Sequence, residues 1–330
     1  MKYGFKGRLS KNFPSQVMVD ITEVCNLGCI HCTHPEFSKS DVYTKAMLSP
    51  ELNKKMVKEV SKFGKGKTIY IRYTSNGEPL VHPRSYDIIY DAVKNSGTKV
   101  TLTTNGTILN EKRMKKLMKT GLHMVDVSID AFKNETYEKV RVKGDLNITR
   151  KNVIDLIKFR NETKSKTKIV VSFVEQKENT NEIEDFKKFW NKQGADEVLI
   201  RKLHTNSGSN KKNFDQTSSN DDLSENRRAC LYPWERVVLT AKGFLAFCPT
   251  DWYAKSIVAD YRKDTIKNVW QNLFYQDLRK QHQSCKFTNK FCSNCPDWKY
   301  TSWPHDKNKS YADLVERVLY ENAQEDSQNA

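Results

Sequence analysis

Short runs rich in Val, Ile and Thr recur through the first part of the chain, at residues 17–21, 68–73, 99–103, 124–129, 168–174 and 197–203. Each has the length and β-branched content of a strand. Between them the apolar positions change to three- and four-residue spacing. Ser49, Pro50 and Glu51 supply an N-cap, a first-turn proline and an acid favoured by the helix dipole. Leu52, Met56, Val57 and Val60 then share one face, with Gly64 past the end. Residues 83–95, 111–119, 149–159 and 181–192 repeat the helical pattern. Strands alternating with helices predict a parallel α/β sheet with right-handed crossovers and functional loops at the carboxyl ends of the strands.

The pattern changes after His204. Residues 205–226 are polar, rich in Ser and Asn and nearly free of apolar periodicity, which predicts a linker. Beyond it, residues 236–240 and 244–247 flank Ala241, Lys242 and Gly243 as a β-hairpin, and residues 265–281 carry one or two short helices. The expected organisation is a core at 1–204, the linker, a smaller α+β domain at 227–320 and a polar, acidic tail at 321–330. No internal repeat is visible.

Composition narrows the class. A chain of 330 residues accommodates one large domain and a smaller one, and 15 Phe, 14 Tyr and 6 Trp can fill a core although only 37% of residues are hydrophobic. The first 16 residues lack the apolar region of a secretory signal, and no stretch approaches the roughly 18 apolar residues that span a bilayer. The expectation is a cytoplasmic protein without a membrane partner, in which the eight cysteines are kept reduced as metal ligands or reactive thiols. The net charge of +16 is dispersed among acids, as on a solvated surface. A basic face also suits a phosphorylated substrate, an acidic electron-transfer partner or nucleic acid. No RNA-binding signature is present and the aromatics are not interleaved in one basic stretch, which argues against nucleic acid.

Cysteine spacing carries the sharpest chemistry. Cys25, Cys29 and Cys32 lie directly after the first strand, where three thiolates can hold three irons of a cubane and leave the fourth iron open. A zinc site completed by His31 or His34, or inert thiols, are the alternatives on spacing alone. Downstream, Cys230 precedes the hairpin, Cys248 ends it and Cys292 and Cys295 form a CxxC, a set suited either to a second cluster or to structural zinc. Cys285 is left over, as a spare thiol, a substitute ligand or a hydrogen donor to a carbon radical.

The CxxxCxxC after a first strand resembles the radical S-adenosylmethionine (radical SAM) superfamily, and the resemblance extends over about residues 17–203. Asn76, Gly77, Glu78 and Pro79 resemble its GGEP element, with Asn76 replacing the first glycine, and His31 stands where an aromatic is usual. Thr104, Asn105 and Gly106 resemble its TNG, Ser128 and Asp130 its SxD, and Tyr137 with Arg141 its YxxxR. The resemblance implies a partial (β/α)6 TIM-like barrel. It further implies a [4Fe–4S] cluster on Cys25, Cys29 and Cys32, with S-adenosylmethionine held near Gly77, Glu78, Pro79, Asn105, Ser128, Asp130 and Arg141. The spacing from Cys230 through Gly243 to Cys248, then Asp251, Trp252, Asn268, Trp270, Leu278, Arg279 and the final CxxC, resembles a shortened SPASM/twitch domain. That implies one auxiliary [4Fe–4S] cluster on Cys230, Cys248, Cys292 and Cys295.

The function implied by the resemblance is reductive cleavage of S-adenosylmethionine to a 5′-deoxyadenosyl radical, fed by a flavodoxin- or ferredoxin-like donor, and removal of hydrogen from a substrate. With only 24 residues before Cys25, a fused peptide-recognition domain is not expected, so a small polar substrate is favoured: a sugar, nucleotide sugar or aminocyclitol undergoing oxidation, dehydration or epimerisation. A peptide-modifying maturase and a non-enzymatic iron–sulfur or zinc RNA-binding protein are the alternatives. Asp130, Asp251, Arg201 and His204 are candidate bases.

Overall fold

A computed structural model describes residues 3–74, 76–217, 227–304, 306 and 310–321. Nine strands are present among them: β1 (Gln16–Asp20), β2 (Tyr70–Thr74), β3 (Lys99–Thr104), β4 (Met124–Ser128), β5 (Lys168–Glu175), β6 (Glu197–Lys202), β7 (Arg236–Leu239), β8 (Phe244–Ala246) and β9 (Ile257–Asp260). All six strands expected in the core form, each within a residue or two of its predicted bounds. They pair in parallel, and the sheet order is β6-β5-β4-β3-β2-β1-β7-β8-β9. The sheet is mixed and not closed, with β6 and β9 at its edges.

The predicted hairpin is present as β7 and β8, but it is part of the core sheet. β7 pairs in parallel with β1, Val17 opposite Val237 and Val19 opposite Leu239, and β8 and β9 then add antiparallel. β1 is therefore an interior strand, flanked by the start of the core on one side and by the cysteine-rich C-terminal part on the other.

Helices α1 (His34–Phe37), α2 (Pro50–Phe63), α3 (Ser85–Asn95), α4 (Glu111–Lys119), α5 (Asn134–Val140), α6 (Leu146–Glu162) and α7 (Ile183–Gln193) connect the core strands. As the sequence suggests, Ser49 caps α2 by accepting the Leu52 N–H at 3.2 Å, and Asn110 caps α4 by accepting that of Arg113 at 3.1 Å. C-terminal to them come α8 (Lys211–Thr217), α9 (Tyr232–Glu235), α10 (Ile266–Gln271), α11 (Leu273–Ser284), α12 (Lys290–Ser293) and α13 (Tyr311–Glu316).

Strand alternation divides the core in two. Val17, Val19, Ile71, Tyr73, Val100, Leu102, Val125, Val127, Ile169 and Val171 point to the helices and form the main apolar core. The opposite, inner face is more polar. It carries Asp20, Arg72, Thr103, Asp126, Ser128, Ser172 and Arg201, with Arg72 hydrogen-bonded to Thr103 at 2.9 Å and ion-paired to Asp126 at 3.5 Å. α13 covers the amino-terminal end of this face: Ala312, Leu314 and Val315 pack on Tyr70, Met124 and Val170, and the Arg72 guanidinium lies 3.6 Å from the Tyr311 ring centre. This was not legible in the chain, where residues 311–316 read as part of the smaller domain. The inner face is left open toward the carboxyl ends of the strands.

Ahead of β4, His123 Nδ1 accepts the Val100 N–H at 3.1 Å, a bond that only an unprotonated Nδ1 can make. Burial, aided by Lys99, lowers its pKa from 6.5 to about 4. The folded chain thus resists a proton that the unfolded chain takes up near 6.5, so this contribution to stability is complete above pH 6.5 and is lost as pH falls toward 4. Melting temperatures measured across that window should fall on acidification, and the slope should be shallower in His123→Gln.

Candidate active site

The first cysteine loop leaves β1 and is anchored from below by the end of α5. Gly28 N–H donates to Val142 O at 2.9 Å, Ile30 N–H to Val140 O at 3.1 Å and Cys32 N–H to Cys29 O at 3.1 Å. Arg141, the next residue after α5, reaches to 3.6 Å from Cys29 Sγ and ion-pairs with Asp130 Oδ2 at 2.5 Å. All eight cysteines are free, and Cys29 is buried with Cys25 and Cys32 half-buried. Burial pushes Cys25 and Cys32 up to about 12, helped by Glu78 at Cys25 and by Cys29 at Cys32, and raises Cys29 as well, where Asp130 adds and Arg141 opposes. Three thiols that resist ionising together in one loop are a donor set whose thiolate form a cationic centre would stabilise. Among the described residues no three Cys, His, Asp or Glu side chains converge around a single metal ion. The fit to a metal group rests on donor type and shared loop.

The other candidate residues are knitted to that loop by buried carboxylates. Gly77 sits where a Cβ would lie 2.5 Å from both Thr22 O and Val24 O, so only glycine lets this turn lie against the strand leading to Cys25. Glu78 N–H donates to Val24 O at 2.9 Å. Its carboxylate accepts the Thr104 hydroxyl at 2.6 Å, the Asn105 N–H at 2.7 Å and the Leu80 N–H at 3.1 Å, and Pro79 opens the short turn it caps. Burial raises the Glu78 pKa against these bonds, which favour the ionised form. Asn105 Nδ2 donates to Asn26 Oδ1 at 2.9 Å, closing the circuit from the turn after β3 back to the cysteine loop.

Asp130, in the left-handed region at φ 63°, accepts the Val174 N–H at 2.7 Å and also lies 3.3 Å from His31 Nε2. Burial lowers His31 to about 4 in spite of that neighbour, so its ring is neutral. Asp130 is fully buried and committed to Arg141 and β5, a place for an anchoring carboxylate rather than a mobile base. Ser128 stands apart, its hydroxyl 3.3 Å from that of Ser172 on the inner face.

The four downstream cysteines expected as ligands come together. Cys230, Cys248, Cys292 and Cys295 line one cavity of about 420 Å³, with Ser207, Thr250 and Arg227 in its wall. Ser207 Oγ and Thr250 Oγ1 lie 3.5 and 3.2 Å from Cys248 Sγ, and Arg227 caps the CxxC turn through the carbonyls of Cys292 and Ser293. Burial pushes Cys295 up to about 12 and raises the other three. Cys285 lies outside that lining. It ends α11 at φ 53°, its thiol donating to Arg227 O at 3.2 Å.

Residues 205–217 of the expected linker bridge the two cysteine sets, while 218–226 fall outside the described residues, as do 322–330 of the expected tail. Asn213 Nδ2 donates to His31 O at 2.8 Å and Asn206 Nδ2 to the same carbonyl at 3.4 Å. From the same segment, Thr205 N–H and Ser207 N–H donate to the Asp297 carboxylate at 2.9 and 2.7 Å, two residues beyond Cys295. The polar composition that read as a linker is a hydrogen-bonding surface.

A second cavity is lined by Asn76 and Glu23, from the segments flanking the first cysteine loop, and by Cys248 and Asp251, which follow β8; of the eight cysteines Cys248 alone is in its wall. Asp20, at the end of β1, projects into it. Burial, with Glu23 and Asp251 nearby, pushes Asp20 well above the usual carboxylate range. Of the candidate bases, Asp251 lines this cavity, Arg201 is paired with Asp126, and His204 lies 3.9 Å from Asp297. Asp20 and Glu23 were not singled out from the sequence, although an acid closing an apolar strand is a signal that could have found the first.

Comparison with known proteins agrees with this geometry. The profile of the Radical SAM superfamily matches residues 19–189, and that of SPASM, an iron–sulfur cluster-binding domain, matches residues 230–296. The chain is 30% identical over 190 residues to a tungsten-containing aldehyde ferredoxin oxidoreductase cofactor-modifying protein of Pyrococcus furiosus. It is 34% identical over 136 residues to a GTP 3',8-cyclase of Clostridium botulinum. The alignments cover 56% and 41% of this chain and 50% and 41% of the relatives, so the chain is matched over half the length of those proteins or less. Among solved structures, BtrN in complex with AdoMet and 2-DOIA superposes with a TM-score of 0.54 at 17% identity, covering 86% of this chain and 92% of that one. Streptococcus suis SuiB bound to precursor peptide SuiA gives 0.62 at 13% identity, covering 92% and 73%. At such identities the likeness shows the fold.

The close approach at Gly77 and the three bonds to Glu78 make both positions sensitive. Gly77→Ala should cost about 1–3 kcal/mol through overpacking against backbone, and Glu78→Gln about 1–3 kcal/mol by turning an amide N–H toward donors. Thermal or denaturant melts of the purified chain check this, with the exposed Glu36→Gln as an unchanged control.

Proposed function

The chain belongs to the radical SAM superfamily, and we propose that it removes a hydrogen atom from a small polar substrate bound between its two cysteine sets, leading to oxidation, dehydration or epimerisation. Membership brings a [4Fe–4S] cluster and S-adenosylmethionine, and the SPASM domain brings an auxiliary [4Fe–4S] cluster. When bound, these groups supply a hydrogen-abstracting radical and a second centre for electrons. In this reading Cys25, Cys29 and Cys32 hold the first cluster and Cys230, Cys248, Cys292 and Cys295 the second. Gly77, Pro79, Asn105 and Ser128 border the S-adenosylmethionine, while Glu78, Asp130 and Arg141 hold their loops in register. The observation that carries the substrate reading is the cavity whose wall joins Glu23 and Asn76, from the segments flanking the first cysteine loop, to Cys248 and Asp251, which follow β8.

The residues divide the work by position. Glu78 accepts three hydrogen bonds, and Asp130 accepts the Val174 N–H and ion-pairs with Arg141, so they orient rather than exchange protons. Asp251 also accepts backbone N–H groups, from Tyr253 at 3.1 Å and Ser256 at 2.5 Å, but unlike Asp130 it lines the cavity. Cys285 points to a backbone carbonyl and is read as a spare thiol.

Anaerobic reconstitution should yield about eight irons per chain for two cubanes, falling to about four when Cys25, Cys29 and Cys32 are changed to alanine together. That variant should also lose 5′-deoxyadenosine formation. Iron–sulfur absorbance that never appears, or that is indifferent to this substitution, overturns the assignment. Cys285→Ala should leave product formation unchanged, whereas uncoupled S-adenosylmethionine cleavage in that variant, with loss of deuterium uptake from buffer into product, would make Cys285 the hydrogen donor of an epimerase.

A further inference from the structure

The chain as a whole and the cavity beside Cys248 differ in sign. The chain carries +16 overall, yet the ionisable side chains lining the cavity are Asp20, Glu23, Asp251 and Lys242, with Cys248 beside them. Lys242 is engaged within the protein, 3.3 Å from Glu23 Oε1 and hydrogen-bonded to Val42 O. Glu23 is engaged as well: its other oxygen accepts the Thr44 N–H at 2.9 Å, the Thr44 hydroxyl at 3.1 Å and the Ala46 N–H at 3.0 Å. Asp251 shapes its own turn.

Asp20 is different. It is 4% exposed, it lies on the inner face of an interior strand, it borders the cavity, and its Oδ1 has no hydrogen-bond partner. A buried carboxyl without a partner lowers the stability of the folded chain, and an amide or apolar group of the same size would fit the site at less cost. The strand itself does not need an acid there, since the preceding inner-face residue, Met18, packs on Val238 and Ala246. The partner that would satisfy Asp20 is therefore a ligand with a donor, best a cationic one, because it enters beside two further carboxylates. Phe37 and Trp252, with ring centres 5.4 Å apart, form an aromatic wall of the same cavity, which also favours a cation over an anion.

We propose that the cavity receives a protonated amine of a small polar substrate and that Asp20 is the carboxylate that anchors it. This rests on the substrate reading above and narrows it: an amine-bearing sugar or cyclitol fits, and a phosphorylated or nucleotide-linked one does not.

The test is calorimetric titration of the anaerobic holoenzyme, with S-adenosylmethionine bound, using matched pairs of compact amines and their hydroxyl counterparts, beginning with glucosamine against glucose, and with glucose 1-phosphate as the anion. At least one amine should bind tenfold or more tightly than its hydroxyl partner, and Asp20→Asn should abolish that preference. The same variant should raise the melting temperature of the ligand-free chain, since it removes a buried acid whose Oδ1 has no hydrogen-bond partner. Amines that never exceed their hydroxyl partners, tighter binding of the phosphate, or a preference that survives Asp20→Asn each overturn the proposal. A lysine-containing peptide that binds more tightly than every small amine and loses this in Asp20→Asn supports the amine site while overturning the small-substrate reading. Loss of 5′-deoxyadenosine from the unmodified enzyme points instead to failure of the radical assignment. Should Asp20→Asn fold poorly, Trp252→Leu, expected to weaken amine binding several-fold without affecting glucose, replaces it.

Discussion

The parallel pairing of β1 with β7 is the constraint on which the rest of the molecule depends. It makes β1 interior to a nine-stranded sheet, so the loop that leaves its carboxyl end is bordered by the turn after β2 on one side and by the β7–β8 hairpin on the other. Cys25, Cys29 and Cys32 hang from that loop, and Cys248 follows β8. A register fixed by four residue pairs on one side and five on the other thus brings Glu23, from the loop after β1, and Cys248, after β8, to the wall of one cavity. A slip of one residue in β7 would turn Val237 and Leu239 from the apolar core to the polar face, which is why the register is well specified.

Buried carboxylates then convert that placement into a shaped site. Glu78 ties the turns after β2 and β3 together, Asp130 holds Arg141 against Cys29, Glu23 gathers residues 44–46, and Asp297 holds the segment after β6 beside the second cysteine set. Glu78, Glu23 and Asp297 accept bonds chiefly from backbone N–H groups or short hydroxyls, and Asp130 from one backbone N–H beside its ion pair with Arg141, which ties loop conformation to these carboxylates. The strands supply position and the carboxylates supply rigidity.

The two faces of the sheet also separate stability from chemistry. The helix-facing residues are almost all apolar and give the molecule its core. The inner face is closed at one end by α13, itself anchored by Arg8 to Asp313 at 2.5 Å and Glu316 at 3.2 Å, and remains polar toward the other. Charge obeys the same division: positive over the chain as a whole, negative around Asp20.

Local order was determined by the sequence itself. β-branched runs, the capped starts of α2 and α4, and the tight cysteine spacings are properties of neighbouring residues, and the six core strands and both cysteine groups were legible from them. What lies far apart in the chain was decided only by the tertiary structure: that β7 joins β1, that the segment from Thr205 bonds both cysteine loops, that Glu78 and Asp130 hold backbone N–H groups, that the Cys285 thiol donates to Arg227 O, and that Asp20 Oδ1 is left without a hydrogen-bond partner. Periodicity reports which side of an element is buried, but it carries no record of which distant element covers it. Whether a polar group is spent or available depends on that cover, and so on contacts between residues separated by up to two hundred or more positions.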